Sequence, residues 1–136
     1  MTNAEASGTQ ALLGLAAGVL DGSVRLSRVA PARAACWLAR RALESLLTDL
    51  LRARNVDPGT ASTRSRLTCL SVAYADNPLL VIEVSTLWDQ LSRACHHHAY
   101  ELTPTVGEAR DLVFRLSAVS PDRAKRDRSS EASLRF

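Results

Sequence analysis

Aromatic residues are scarce in this chain: two Trp, two Tyr and two Phe make up 4% of 136 residues. The hydrophobic fraction is nevertheless 46%. The core must therefore be built mainly from Leu, Ala and Val, which suits close-packed helices better than a sheet. Glycine and proline number only 6 and 5, too few for an all-β chain with many tight turns. The three cysteines, Cys36, Cys69 and Cys95, are an odd number in three different predicted helices. Nothing in their number or spacing suggests a disulfide framework, and they fit buried free thiols in a reducing cytoplasm. Lysine is almost absent, Lys125 being the only one, so nearly all the positive charge is arginine. The apolar run from Ala11 to Leu20 is too short to cross a bilayer, and Glu5 stands where a basic flank would precede a signal peptide. Neither a leader nor a membrane segment is expected, and the expected location is cytoplasmic.

What remains is a chain long enough to bury a core without metals or disulfides. Its net charge of +3 and pI of about 9.1 are mildly basic. Such a balance is compatible with an acidic partner without demanding one. The domain organisation read from composition is a flexible N-terminus over residues 1–9, a helical domain over 10–120 and a basic disordered tail over 121–136. The tail reading rests on Arg123, Lys125, Arg126 and Arg128 among serines.

Hydrophobic periodicity predicts four or five helices. The first runs from Gln10 to Arg28 with Leu12, Leu15, Ala16, Val19 and Leu26 at helical spacing. Gly14, Gly18 and Gly22 fall four apart on one face, a stripe that predicts close approach of another helix or a weak helix. The second, Ala32 to Arg54, carries the broadest apolar stripe, with Arg40, Arg41, Glu44, Asp49 and Arg52 on its wet side. Asp57-Pro58-Gly59 signals a turn. A third helix starts near Ser62 or Thr63, with Leu67, Leu70 and Tyr74 inward. Asp76-Asn77-Pro78 opens a fourth, which carries Val84, Leu87, Trp88 and Leu91. The stretch Leu79 to Val84 has strand propensity, but the chain offers it no partner strand. Thr105 and Glu108 stand in capping-box spacing ahead of a fifth helix that ends by Pro121. The expected fold class is all-α, a four- to five-helix up-and-down bundle.

The chemistry-bearing stretch is Arg93-Ala-Cys-His-His-His98-Ala-Tyr100, an R-x4-H-x-Y pattern at the end of the fourth helix. Arginine forks onto phosphate, and histidine exchanges protons near neutral pH. Together they suit metal-free cleavage of a phosphodiester. Two blander readings stand beside this one. Histidines and Arg93 also suit a helix C-terminus, where the macrodipole favours positive charge. Cys95, His96, His97 and His98 are all metal-ligand types, yet adjacent residues rarely close one tetrahedral shell and no second ligand pair of suitable spacing exists. No cofactor or metal is expected.

The pattern resembles the signature of HEPN domains, small helical proteins that include many RNase toxins. The resemblance in helix order spans about Ala32 to Ser120, and the motif itself is eight residues. It implies a HEPN-like bundle, usually a homodimer, with two copies of the motif facing each other across the axis. Arg93 and His98 then correspond to the catalytic pair, with His97 the reserve histidine. The H-x-Y ending resembles toxins partnered with a minimal nucleotidyltransferase antitoxin, which makes Tyr100 the position that such a partner modifies with AMP. Many members carry a polar residue directly after the arginine, where this chain has Ala94.

The function implied is a metal-independent endoribonuclease, a toxin or defence effector, acting on tRNA or mRNA and leaving 2′,3′-cyclic phosphates. A non-catalytic HEPN-like module that binds RNA, nucleotide or protein is the alternative. An unrelated helical adaptor with a basic tail is the third reading. The Asp57-Pro58-Gly59 turn is followed by a helix too apolar to be a confident recognition helix for DNA.

Overall fold

The computed structural model describes residues 2–96 and 103–119, with side chains from residue 8 onward. The described residues form five helices and no strand: α1 (Thr2–Asp21), α2 (Pro31–Ala53), α3 (Thr63–Ala73), α4 (Pro78–Cys95) and α5 (Val106–Ala118). The chain is a small all-helical bundle. The tail from residue 121 lies outside the described residues.

Local chemistry explains most of the boundaries. Pro31 occupies the first turn of α2, where its missing N–H costs nothing. The side chain of Ser62 caps α3 by accepting from the Ser65 amide at 3.3 Å. The Asn77 side chain caps α4 through the Leu80 amide at 3.3 Å, with Pro78 at the first position. Leu79 to Val84 are thus helical, as a segment without a partner strand must be. Thr105 and Glu108 form the full capping box at the start of α5, with bonds of 3.0 and 3.2 Å.

The hub is α2, which packs against all four other helices. Its first half buries alanines (Ala32, Ala34, Ala35, Ala39, Ala42), which let neighbouring backbones come close. Its second half buries Leu43, Leu46, Leu47, Leu50 and Leu51. Leu70, Tyr74, Val84, Leu87, Leu91, Ala109, Leu112, Val113 and Leu116 close around it from α3, α4 and α5. With α2 at the centre, the five helices share one core as a bundle.

The first helix differs most from the sequence expectation. It ends at Asp21 rather than Arg28, because Gly22 takes φ +85 and the chain turns back. The Val24 amide and the Ser23 hydroxyl both bond the Gly18 carbonyl, at 3.0 and 3.2 Å. The glycine stripe therefore does not receive another helix. A Cβ on Gly18 would meet Val24 Cγ2 at 3.0 Å, whereas Gly14 faces open space. The real α1–α2 seam uses Leu13, Ala16 and Thr9, whose buried hydroxyl donates to Ser45 Oγ at 2.8 Å.

The turn between α2 and α3 is stapled by Arg66. Its guanidinium donates to the Ala61 and Gly59 carbonyls at 3.0 and 3.1 Å and to Thr48 Oγ1 at 2.9 Å. Beside it, Arg54 stacks over the Tyr74 ring at 4.2 Å and forks onto Asp76 at 3.1 and 3.2 Å. These contacts fix the α2–α3 turn and the approach to α4.

Candidate functional site

Arg93 lies in the last turn of α4 and is exposed. Its ordinary role there would be to offset the negative end of the helix dipole. It makes no ion pair with any described residue. The helix stops at His96, whose backbone is extended (φ −69, ψ 126) and whose amide bonds the Ser92 and Arg93 carbonyls at 3.1 and 3.2 Å. His96 is thus the C-cap residue, as the helix-end reading of the histidines requires of one of them. His97, His98 and Tyr100 lie outside the described residues.

Arg93 borders an open groove of about 460 Å³ between α4 and α5. Gln90, Ala94, Pro104, Glu108, Asp111 and Arg115 line it with Arg93. The second arginine is already engaged. Arg115 pairs with Glu83 at 3.2 Å and Asp111 at 3.6 Å, and donates to Gln90 at 2.8 Å. Arg93 is left as the cation in the groove without a described carboxylate partner, opposed by the acids Glu108 and Asp111.

A different set of side chains gathers on the other side of α4. Arg93 and Cys95 are two residues apart, about 200° of helical rotation, so they face nearly opposite ways. Cys95 turns toward α2, where Cys36, Arg33 and Arg40 meet it. Arg40 lies over the Trp88 ring at 4.7 Å, and Arg33 donates to Thr103 Oγ1 at 3.5 Å. Helical spacing alone puts Arg40 and Arg41 alike on the wet face of α2. Arg41 is exposed, but Arg40 is half-buried with its Nε wholly covered. The signal that separates them is the partner, Trp88, forty-eight residues away, which no local pattern announces.

Burial pushes the Cys36 thiol up to about 11. Burial also raises Cys95, and the Arg40 and Arg33 guanidinium groups only partly offset it. Both thiols are protonated at neutral pH, so neither is an activated nucleophile. Cys69 is exposed on α3. Among the described residues no group of three or more His, Cys, Asp or Glu side chains converges as a metal site would require. No described helix is long and apolar enough to cross a membrane.

Comparison with protein-family models, with curated proteins and with solved structures finds no match in any of the three.

Proposed function

We propose that this chain is a HEPN-like metal-independent endoribonuclease of the toxin or defence class. The observation that carries the reading is Arg93: exposed, unneutralised by any described residue, and one turn before α4 gives way to a run of three histidines. An all-helical bundle of five elements is the fold class such a reading needs.

In this mechanism one histidine, His98 with His97 in reserve, draws the proton from the ribose 2′-hydroxyl. The 2′-oxygen attacks the phosphorus, and the 5′-oxygen leaves after taking a proton from a second histidine. Arg93 stabilises the charge that builds on the phosphorane-like transition state. A homodimer supplies two copies of each residue to one cleft, so that one histidine serves as base and the other as acid. Tyr100 is the control point. AMP attached there by a nucleotidyltransferase antitoxin adds bulk and negative charge beside the RNA, opposing substrate by sterics and repulsion.

The experiment is cleavage of total RNA in EDTA by wild type, Arg93→Ala and His98→Ala, with product ends analysed. The reading expects wild type to leave 2′,3′-cyclic phosphates and both variants, still folded, to lose activity. Full cleavage by both variants would overturn the site, and a monomer at micromolar concentration would overturn the composite cleft.

A second reading, a non-catalytic binding module, draws on one specific observation. Glu108 and Asp111 share the groove with Arg93, and two carboxylates repel a phosphodiester. Capture of a protein partner in this groove, lost in Glu108→Gln with Asp111→Asn and without any RNA turnover by wild type, would favour it.

A further inference from the structure

The face of α4 turned toward α2 carries a set of donors that the Arg93 groove does not use. Arg40 stands on α2 with its guanidinium over the Trp88 ring, 4.7 Å from the centroid. Among the described residues it takes no carboxylate within ion-pair distance; its guanidinium meets the Cys95 thiol, and its Nε is buried without an acceptor. Ser92 lies between Trp88 and Cys95 on the same face of α4, one turn from each. Its hydroxyl oxygen is likewise buried without a hydrogen-bond partner. Arg33 stands two turns before Arg40 on the same face of α2, and it reaches Thr103 at the approach to α5.

A half-buried cation whose partner is a neutral thiol, and a buried hydroxyl without one, are costly to keep dry and rarely left so. Stacking on an aromatic ring holds a guanidinium flat and leaves its edge free to fork onto an oxyanion. The cysteines nearby offer it no charge, because both thiols stay protonated. A tetrahedral oxyanion with three or more oxygens matches donors arriving from two helices better than a planar carboxylate, which has only two.

We propose that Arg40, Trp88 and Ser92, with Arg33 at the rim, form a binding site for the phosphate group of a nucleotide. Arg40 is the clamp, Trp88 the platform that orients it, and Ser92 the second donor. The site is separate from the Arg93 groove, which lies across α4, and it needs no RNA cleavage to operate.

The test uses the full chain with Trp37→Phe, so that Trp88 gives the one indole N–H resonance in a ¹⁵N–¹H spectrum. Inorganic phosphate, AMP, adenosine and a short RNA oligonucleotide are titrated at constant chloride ionic strength. Phosphate and AMP are expected to move the Trp88 resonance saturably, and adenosine is not. Arg40→Met is expected to weaken phosphate-dependent binding by about tenfold or more, and Arg40→Lys by less, because lysine keeps the charge without the fork. Should Arg40→Met fail to fold, Arg40→Lys against Arg41→Lys carries the comparison. RNA binding tighter than AMP, with a steep salt dependence, identifies the backbone phosphate as the source; equal affinity identifies a free nucleotide. Two results overturn the proposal: no saturable shift with phosphate or AMP in the millimolar range, or Arg40→Met binding as tightly as wild type. Either leaves the ribonuclease reading standing, since that reading is tested at Arg93 and His98.

Discussion

Replacing Tyr74 with Phe removes one oxygen and tests how the C-terminal end of α2 is closed. Tyr74 is 3% exposed, and its hydroxyl donates to the Leu50 carbonyl at 2.7 Å. That carbonyl belongs to the last turn of α2, where helix geometry leaves the final acceptors without amides. The next amide in register, that of Arg54, goes instead to Leu51 at 3.0 Å. Phe at this position keeps the ring and its packing under Arg54, so the perturbation removes only what the hydroxyl supplies, its bond to Leu50 and its contact with the Arg54 guanidinium. An acceptor left buried and unsatisfied costs about 1–3 kcal/mol. A loss of about 2 kcal/mol lowers Tm by about 6–10 °C for a domain of this size. Urea unfolding followed by circular dichroism measures it, with the midpoint falling and the slope m unchanged. A loss below about 0.5 kcal/mol would show that the carbonyl is satisfied some other way and that the capping argument is wrong.

Four further outcomes follow from the same contacts. Thr105→Ala removes the capping box of α5 and should cost about 1 kcal/mol, read by thermal unfolding. Leu47→Ala in the fully buried centre of α2 should cost about 2–5 kcal/mol, and a value near zero would mean that α2 is not the hub. The Cys36 thiol is neutral when folded, and its value of about 11 lies above the unfolded reference of 9.0. The unfolded chain therefore releases this proton first, and stability contributed by the neutral thiol should fall as pH rises from 9 to 11; Cys36→Ala should flatten that slope in a denaturation series. Alkylation of the native protein should label the exposed Cys69 first and Cys36 only on unfolding, and early modification of Cys36 in a mass-spectrometric time course would contradict its burial.

Reading the helices did not require tertiary information, because their signals are local. Pro31, the Asn77-Pro78 pair and the Thr105–Glu108 box each act within one turn of chain, and the structure places boundaries at all three. The leucines of α2 were equally legible, since an apolar stripe at helical spacing has no other use in water. The end of α1 is not legible locally, because Gly22 can continue a helix or break it, and the choice rests on Ser23 and Val24 folding back onto Gly18.

The candidate site divides the same way. The pattern from Arg93 to Tyr100 is visible as residue types at a spacing, and its position at a helix end follows from the periodicity before it. Which neighbours each side chain meets is a matter of packing between segments far apart in the chain. Only the assembled bundle set Arg93 against Glu108 and Asp111, turned Cys95 toward α2, and laid Arg40 over Trp88. Composition and periodicity act through one turn of backbone at a time, so they could determine helices and a core. The angle at which α4 lies on α2 sums many weak contacts, and no single stretch of sequence carries it.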